Sequence, residues 1–594
     1  MNHSRYKTGF DDGIEPWDFS TLHNVGHTLS ETAQRMPGYL AVAAPQPSGS
    51  TAARLMRRLA GKKKQDDSKP LPFDTITFQE LEDLSNAYAS GLRDGGVEKG
   101  NRIALMVPPG IEFVAFVFAL FKTGATIILI DPGMGRDNLV KCLSEAKPEG
   151  VVGSRLAHSA RMIYRKWFPN CKKNFAVGGA FPGCTSVSKF EKSGDRNFEP
   201  VPMDREDSAA IIFTTGSTGP PKGVHYQHRI FLEQSRQIRD WFDIRPGTVD
   251  VSGFPLFALF NTAMGTATVF PDMDPTRPAD IYPPNLIHAV ETFSADQSFG
   301  SPALWNTVSR YCADNDLSLP TVKRILSAGA PVPPHVLKRI KSVIAADGEA
   351  WTPYGATESL PVACIGASEI LNETAKQSEK GAGTCVGKNF PDMTWKLIAI
   401  SDEPIASIEE TKDVAPGEIG ELMVQGAVVT EKYLTRADAN ADHKVTDGEK
   451  FWHRMGDLGY FDDQGRFWFC GRKSHRLETE SGPMFTVPCE SIINSHPTIY
   501  RCALVGSGKK GAHVPVLFAE PWPEKRPADD AENEALLQEI RDLAAKHWQT
   551  NTIKHFAIHE KLPVDIRHNS KIFRERMRPI ADRVIQLKDQ TTRG

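Results

Sequence analysis

Ile211-Ile212-Phe213-Thr214-Thr215-Gly216-Ser217-Thr218-Gly219-Pro220-Pro221-Lys222-Gly223 decides both the fold and the chemistry. The apolar run 209–213 spells a short buried strand. It then breaks into hydroxyls, glycines, two prolines and one lysine. Thr214, Thr215, Ser217 and Thr218 offer short hydroxyl donors, and Gly216, Gly219 and Gly223 let backbone N–H groups approach an anion with no Cβ in the way. Pro220 and Pro221 stiffen the turn, and Lys222 adds a full positive charge. A polyphosphate suits that composition. The pattern is not the P-loop, because the glycine-to-lysine spacing differs and Gly223 stands where Ser or Thr would follow the lysine.

Outward from this stretch the chain reads as α/β. Residues 102–107, 111–123 and 126–130 spell strand, helix and strand, with Pro108-Pro109-Gly110 as the turn. Such a unit implies a parallel sheet with a right-handed crossover. Phe113, Phe116, Val117, Leu120 and Phe121 mark one buried side of its helix. Helices are expected at 28–35 and 79–91, and a further one opening at His225-Tyr226-Gln227-His228, with His228 as a capping or packing residue. Residues 371–383 are polar and read as a loop, 417–424 as a strand, and Asp463-Gln464-Gly465 as a hairpin turn into a strand at 467–472.

A chain of 594 residues exceeds one core, so two or more domains are expected. With 70 basic against 73 acidic residues, nothing points to nucleic acid. The nine cysteines are scattered and form no C-x-x-C pair, which fits reduced thiols rather than a disulfide frame or zinc site. The N-terminus is polar, and the longest apolar run, 113–121, is too short to span a bilayer. The expectation is a cytoplasmic enzyme with no transmembrane segment. The basic piece 52–64 reads as a solvated insertion, with a docking patch for a partner or an anionic membrane surface as the alternative.

The quoted stretch resembles the phosphate loop of the acyl-adenylate-forming (ANL) superfamily of acyl-CoA synthetases, peptide-synthetase adenylation domains and luciferases. Further motifs follow in that superfamily's order. Ser327-Ala328-Gly329-Ala330-Pro331 offers small residues along which a flat base slides. In Trp351-Thr352-Pro353-Tyr354-Gly355-Ala356-Thr357-Glu358, Tyr354 offers a ring for adenine, Thr357 a donor for the α-phosphate, and Glu358 a hard oxygen ligand for Mg²⁺ on ATP. Asp457, between Gly456 and Leu458-Gly459, accepts ribose hydroxyls, and Arg472 pairs with ribose or phosphate. The resemblance implies a large N-terminal domain, 1–471, of parallel and mixed sheets flanked by helices plus a distorted barrel. It also implies a hinge at Lys473 and Ser474, and a small mobile α+β C-terminal lid, 472–594. Lys571, in register with the superfamily's lysine although the usual preceding Gly is missing, is implied to reach the carboxylate and α-phosphate from that lid.

Phe254-Pro255-Leu256-Phe257-Ala258-Leu259-Phe260-Asn261 matches the segment that borders the acyl pocket, so Phe257, Ala258, Phe260 and Gly329 are substrate-pocket candidates. Ala258 stands where many members carry an aromatic or histidine gate, and Pro483 replaces a glycine in the turn that packs on pantetheine in CoA ligases. Both departures touch a CoA-dependent second step and leave the first intact. The overall pattern is similar to the β-lactone synthetases of bacterial long-chain olefin biosynthesis. That resemblance implies ATP and Mg²⁺, a β-hydroxy fatty acid substrate, closure of a 2-alkyl-3-hydroxyalkanoic acid to a β-lactone through acyl-AMP, and olefin-pathway enzymes as partners. A long-chain fatty acyl-CoA ligase is the alternative enzyme, and a catalytically silent scaffold is the alternative of another class.

Overall fold

The computed structural model describes residues 6–10, 13–46, 70–214, 221–565 and 571–593. The basic piece 52–64 and the phosphate-loop candidates Thr215, Gly216, Ser217, Thr218 and Gly219 lie outside the described residues. Among the described residues the strands form sheets of nine, seven, six, three and two strands. The seven-stranded sheet contains the expected β-α-β unit: Arg102–Met106 and Thr126–Leu129 pair in parallel, with the helix Ile111–Lys122 between them. Thr126–Leu129 in turn pairs in parallel with Ser208–Phe213, the strand that feeds the phosphate loop.

The helix Ile111–Lys122 is buried on every side from Phe113 to Lys122, not on one face only. The helices Gly26–Arg35 and Phe78–Asp94 cover the side that a surface helix would show to water. Its one ammonium is fully saturated. Lys122 Nζ donates to Glu82 Oε2 at 2.6 Å, Ser85 Oγ at 2.8 Å and Asn86 Oδ1 at 2.6 Å. A buried charge is tolerated only with such partners.

Two local expectations are corrected. His225 to Gln227 belong to the strand Gly223–Gln227, antiparallel to Ser208–Phe213, and the helix begins at His228. Tyr226 points to the β reading, and the ladder with Ser208–Phe213 overrides the polar, helix-like look of the segment. Residues 371–383 carry the helical segments Ile370–Thr374 and Ala375–Ser378 rather than a loop. Both segments lie against the strand Thr384–Cys385, and Ala375–Ser378 also meets the helix Thr486–Asn494.

The nine-stranded sheet is parallel at its centre. Its strand Glu349–Ala356 pairs in parallel with Arg324–Ser327 and antiparallel with Ser359–Gly366. The six-stranded antiparallel sheet, interrupted by register shifts along its long strand Lys450–Phe461, corresponds to the distorted barrel. Its hairpin turns at Asp463-Gln464-Gly465 as expected, with Gly465 at φ +74°. Beyond Arg472 the chain builds the three-stranded sheet Ile499–Ser507, Val514–Pro521 and His555–Ile558, flanked by the helices Thr486–Asn494, Asp530–Ala544 and Arg574–Arg593. Two hydrophobic clusters there draw only on residues from Leu477 onward. All nine cysteines are free. No helix among the described residues is long and apolar enough to cross a membrane.

Candidate active site

The loop after Ser208–Phe213 is pinned at its base. Thr214 N–H donates to Lys222 O at 3.0 Å, and Lys222 N–H donates to Thr214 Oγ1 at 3.2 Å. The segment 430–435 then runs beside the strand Gly223–Gln227, through a bridge between Val224 and Tyr433 and a 2.7 Å bond from Gly223 N–H to Thr435 Oγ1. The approach is close enough that a Cβ on Gly223 would lie 2.9 Å from Ile211 and 3.0 Å from Thr435. This pairing carries Tyr433 to the side of Lys222.

Tyr433 is the joint between two sequence-distant motifs. Its hydroxyl donates to Glu358 Oε1 at 2.7 Å, and Lys222 Nζ sits 4.7 Å from the centre of its ring. The turn holding Thr357 and Glu358 is tied down from both sides. Tyr226 Oη donates to Thr357 O at 2.7 Å, and Thr430 donates to Glu358 O through N–H at 2.9 Å and Oγ1 at 3.0 Å. Gly355 occupies a bulge between Tyr354 and Ala356, where a Cβ would meet Ser359 O at 2.7 Å.

His443 completes the lysine's surroundings. Its Nδ1 lies 3.3 Å from Arg454 O, which assigns the proton to Nδ1 and leaves Nε2 to accept from Lys222 Nζ at 2.8 Å. Burial, reinforced by Lys222, lowers the His443 pKa to about 4, so the ring is neutral near pH 7. Burial also lowers the Lys222 pKa, opposed by Glu358. Lys444, half-buried and donating to Thr430 O, is pushed down to about 7 by burial, again opposed by Glu358.

A second group of polar side chains centres on Asp457. Asp457 and Arg472 are cross-strand partners in the hairpin, with Arg472 Nη1 at 3.0 Å from Asp457 Oδ1. That guanidinium N–H points instead at Met455 O, 2.9 Å away, so Asp457 Oδ1 is ion-paired yet has no hydrogen bond. Oδ2 accepts from Tyr354 Oη at 2.5 Å. Burial raises the Asp457 pKa, while Arg472, Tyr354 and the Lys571 ammonium act against it. A buried carboxylate oxygen with unspent acceptor capacity suits a sugar hydroxyl. The Lys571 ammonium thus lies within electrostatic reach of Asp457.

Gly329, at φ +97°, with Ala330 and Pro331, follows the strand Arg324–Ser327, whose neighbour in the sheet leads to Tyr354. Thus Lys222, Tyr354, Thr357, Glu358, Asp457, Arg472 and Lys571 gather around one region, with Gly329, Ala330 and Pro331 at the end of the adjoining strand.

The sequence model of the family described as AMP-binding enzyme matches residues 60–434. The chain belongs to the AMP-binding enzyme family. This AMP-binding enzyme is 42% identical, over 93% of its length and 97% of the relative's, to the olefin β-lactone synthetase of Stenotrophomonas maltophilia. The olefin β-lactone synthetase of Xanthomonas campestris is also 42% identical, over 94% of this chain and 97% of the relative. Among solved structures, an anthranilate CoA ligase in complex with anthranoyl-AMP superposes with a TM-score of 0.73 at 17% identity, covering 96% of this chain and 100% of that one. An o-succinylbenzoate CoA synthetase of Bacillus subtilis in complex with AMP gives 0.69 at 18% identity, over 94% and 98%.

The pocket candidates of this AMP-binding enzyme sit deep. Phe257, Ala258 and Phe260 lie on the buried helix Phe257–Ala263, and the Phe257 ring stacks on Phe299 with centroids 4.2 Å apart. Lys473 is held by a buried carboxylate: its Nζ lies 3.0 Å from Glu421 Oε1 and 2.8 Å from Ser401 O, while Arg454 Nη2 donates to Glu421 Oε2 at 2.6 Å. Ser474 follows in the same short turn, Lys473–His475. His228 is a packing residue, buried against Phe121, with Nδ1 accepting from Val25 N–H at 3.1 Å. Sequence reasoning missed His443 and the role of Tyr433. Only the Val224–Tyr433 bridge, a tertiary fact, signals them.

Proposed function

We propose that this enzyme closes a long-chain 2-alkyl-3-hydroxyalkanoic acid to a β-lactone at the expense of ATP, in long-chain olefin biosynthesis. The observation that carries the reading is the near full-length 42% identity to enzymes named olefin β-lactone synthetase. The proximity of Lys222, Glu358, Asp457 and Arg472 to one another supports an adenylation site.

In the first step a carboxylate oxygen attacks the α-phosphorus in line and pyrophosphate leaves. Charge spreads over the phosphoryl oxygens, so fixed cations and donors lower the barrier. Lys222, Lys571, Thr357 and the loop hydroxyls Thr214, Thr215, Ser217 and Thr218 are assigned that task. Tyr354 takes the adenine face, and Asp457 with Arg472 the ribose. Glu358 fits a Mg²⁺ ligand. It is a hard carboxylate, oriented by the Tyr433 phenol and set beside the phosphate-loop lysine. Held by Glu358, a Mg²⁺ would supply positive charge that offsets the charge of the departing pyrophosphate. In the second step the substrate's own β-hydroxyl oxygen attacks the acyl carbonyl, the acyl–oxygen bond to AMP breaks, and the hydroxyl proton leaves to solvent or AMP. Intramolecular attack has a high effective molarity, which offsets ring strain.

The division into residues 1–471 and a lid at 472–594 that swings at Lys473 and Ser474 belongs to the same proposal, as do Phe257, Ala258, Phe260 and Gly329 along the acyl chain. A cytoplasmic setting and olefin-pathway enzymes as partners complete it. The test is a racemic long-chain β-hydroxy acid with ATP, with and without CoA, the product being identified by NMR. A β-lactone formed without CoA is expected. A strict requirement for CoA, with a thioester as product, overturns the reading.

A further inference from the structure

Four of the nine large apolar side chains that stand exposed among the described residues fall between residues 156 and 167. Leu156 is 66% exposed, Met162 49%, Ile163 76% and Trp167 52%. They belong to the helix Arg155–Ile163 and the turn Arg165–Trp167 that continues it. Leu156, Ala160, Ile163 and Trp167 are spaced i, i+4, i+7 and i+11, so they form one outward stripe. The opposite face anchors the helix to the seven-stranded sheet. Ala157 and His158 are buried there, and His158 Nε2 is hydrogen-bonded to Phe175 O at 2.8 Å.

The chain that carries the stripe has charge of one sign, and the helix Arg136–Ala146 that touches the turn Arg165–Trp167 adds Asp137 and Glu145 beside Arg136 and Lys141. Between Glu149 and Glu191 the sequence contains no Asp or Glu. Arg155, Arg165, Lys166 and Lys172 are exposed beside the stripe. None of the four makes an ion pair to a described residue. A protein core would not leave Ile163 and Trp167 in water, and scattered single apolar residues need no account, but a contiguous stripe rimmed by cations does.

We infer that the helix Arg155–Ile163 and the turn Arg165–Trp167 form a docking surface for an anionic lipid bilayer. Apolar side chains enter the acyl boundary, the tryptophan lies at headgroup depth, and the arginines and lysines meet lipid phosphates. Among the described residues no helix is long and apolar enough to span, so the contact inferred is with the bilayer surface. The assignment rests on this surface alone and is independent of the proposed reaction. If that reaction holds as well, the surface places the enzyme where a long-chain acid is dissolved.

The experiment is cosedimentation of the full chain, without ATP or acid, with phosphatidylcholine vesicles containing about 30% phosphatidylglycerol, at low and high salt. Binding is expected to fall about tenfold on pure phosphatidylcholine, and by a similar factor at high salt. Leu156→Ser/Ile163→Ser/Trp167→Ser and Arg155→Gln/Arg165→Gln/Lys166→Gln should each lose binding by about tenfold while keeping pyrophosphate release with a short, water-soluble acid. Equal binding by parent and variants, or no binding by the parent to anionic vesicles at low salt, overturns the assignment. A change of oligomeric state in the serine variant without a change in vesicle binding would also overturn it and give the stripe to a protein contact.

Discussion

Lys222 shows how one cation is given a fixed place. A lysine on a flexible stem loses side-chain entropy when it is held. Here the neutral Nε2 of His443 and the ring of Tyr433 hold it before any substrate arrives. His443→Leu should therefore lower kcat/KM for ATP by about tenfold or more, and His443→Gln, which keeps an acceptor, should recover part of that loss. Steady-state kinetics with pyrophosphate detection checks both. Lys444 carries a pH signature. Its folded pKa of about 7 lies below that of an unfolded lysine, so the unfolded chain binds more protons between these values and stability rises with pH across that window. Relative to Lys444→Met, the parent should gain about 1 kcal/mol per pH unit above pH 7, a trend that paired thermal melts from pH 6 to 10 would record. At this scale Tyr354, Glu358, Asp457 and Arg472 could be singled out because each sits in a short motif of distinctive residue types, and the structure brings them together. His443 was not. Ala439-Asn440-Ala441-Asp442-His443 has no distinctive local pattern, and its role comes from the Lys222 side chain 221 positions away in sequence.

Elements were readable where hydrophobic pattern and turn chemistry agreed. The strand and helix of the β-α-β unit and the hairpin at Asp463-Gln464-Gly465 fell within a residue or two of their expected bounds. The readings failed where a neighbour decided. Gly223–Gln227 is a strand because Ser208–Phe213 lies beside it, and the helix Ile111–Lys122 is buried all round because two further helices cover it. The buried Glu421 belongs to this scale, since it clamps the strand Gly420–Gly426 to both Arg454 and Lys473. Removing one member of a buried ionic group leaves the others uncompensated. Glu421→Ala should cost about 3–5 kcal/mol in denaturant unfolding, and Glu421→Gln somewhat less.

At the scale of the whole molecule, polar contacts join residues beyond Arg472 to the chain that precedes it. Asp402 pairs with Arg476 at 2.5 Å and with Lys510, and Gln549 donates to Lys380 O at 3.1 Å and Gly381 O at 3.0 Å. Lys571 acts on Asp457 across this junction. Lys571→Ala should lose about a hundredfold in carboxylate-dependent pyrophosphate release yet still bind ATP, as calorimetry and a release assay together would show. Unchanged release would remove Lys571 from the reaction.

Arg472 pairs with Asp457 and Lys473 is locked to Glu421, and a single planar peptide bond separates them. With the hinge proposed at Lys473, a twist of the chain there would drag the guanidinium beside Asp457. Under the proposed function, escape of AMP and turning of the C-terminal part would then be one mechanical event. Loosening Glu421 should register as a faster product off-rate in stopped-flow, and thereby make a residue that never meets the nucleotide a governor of turnover.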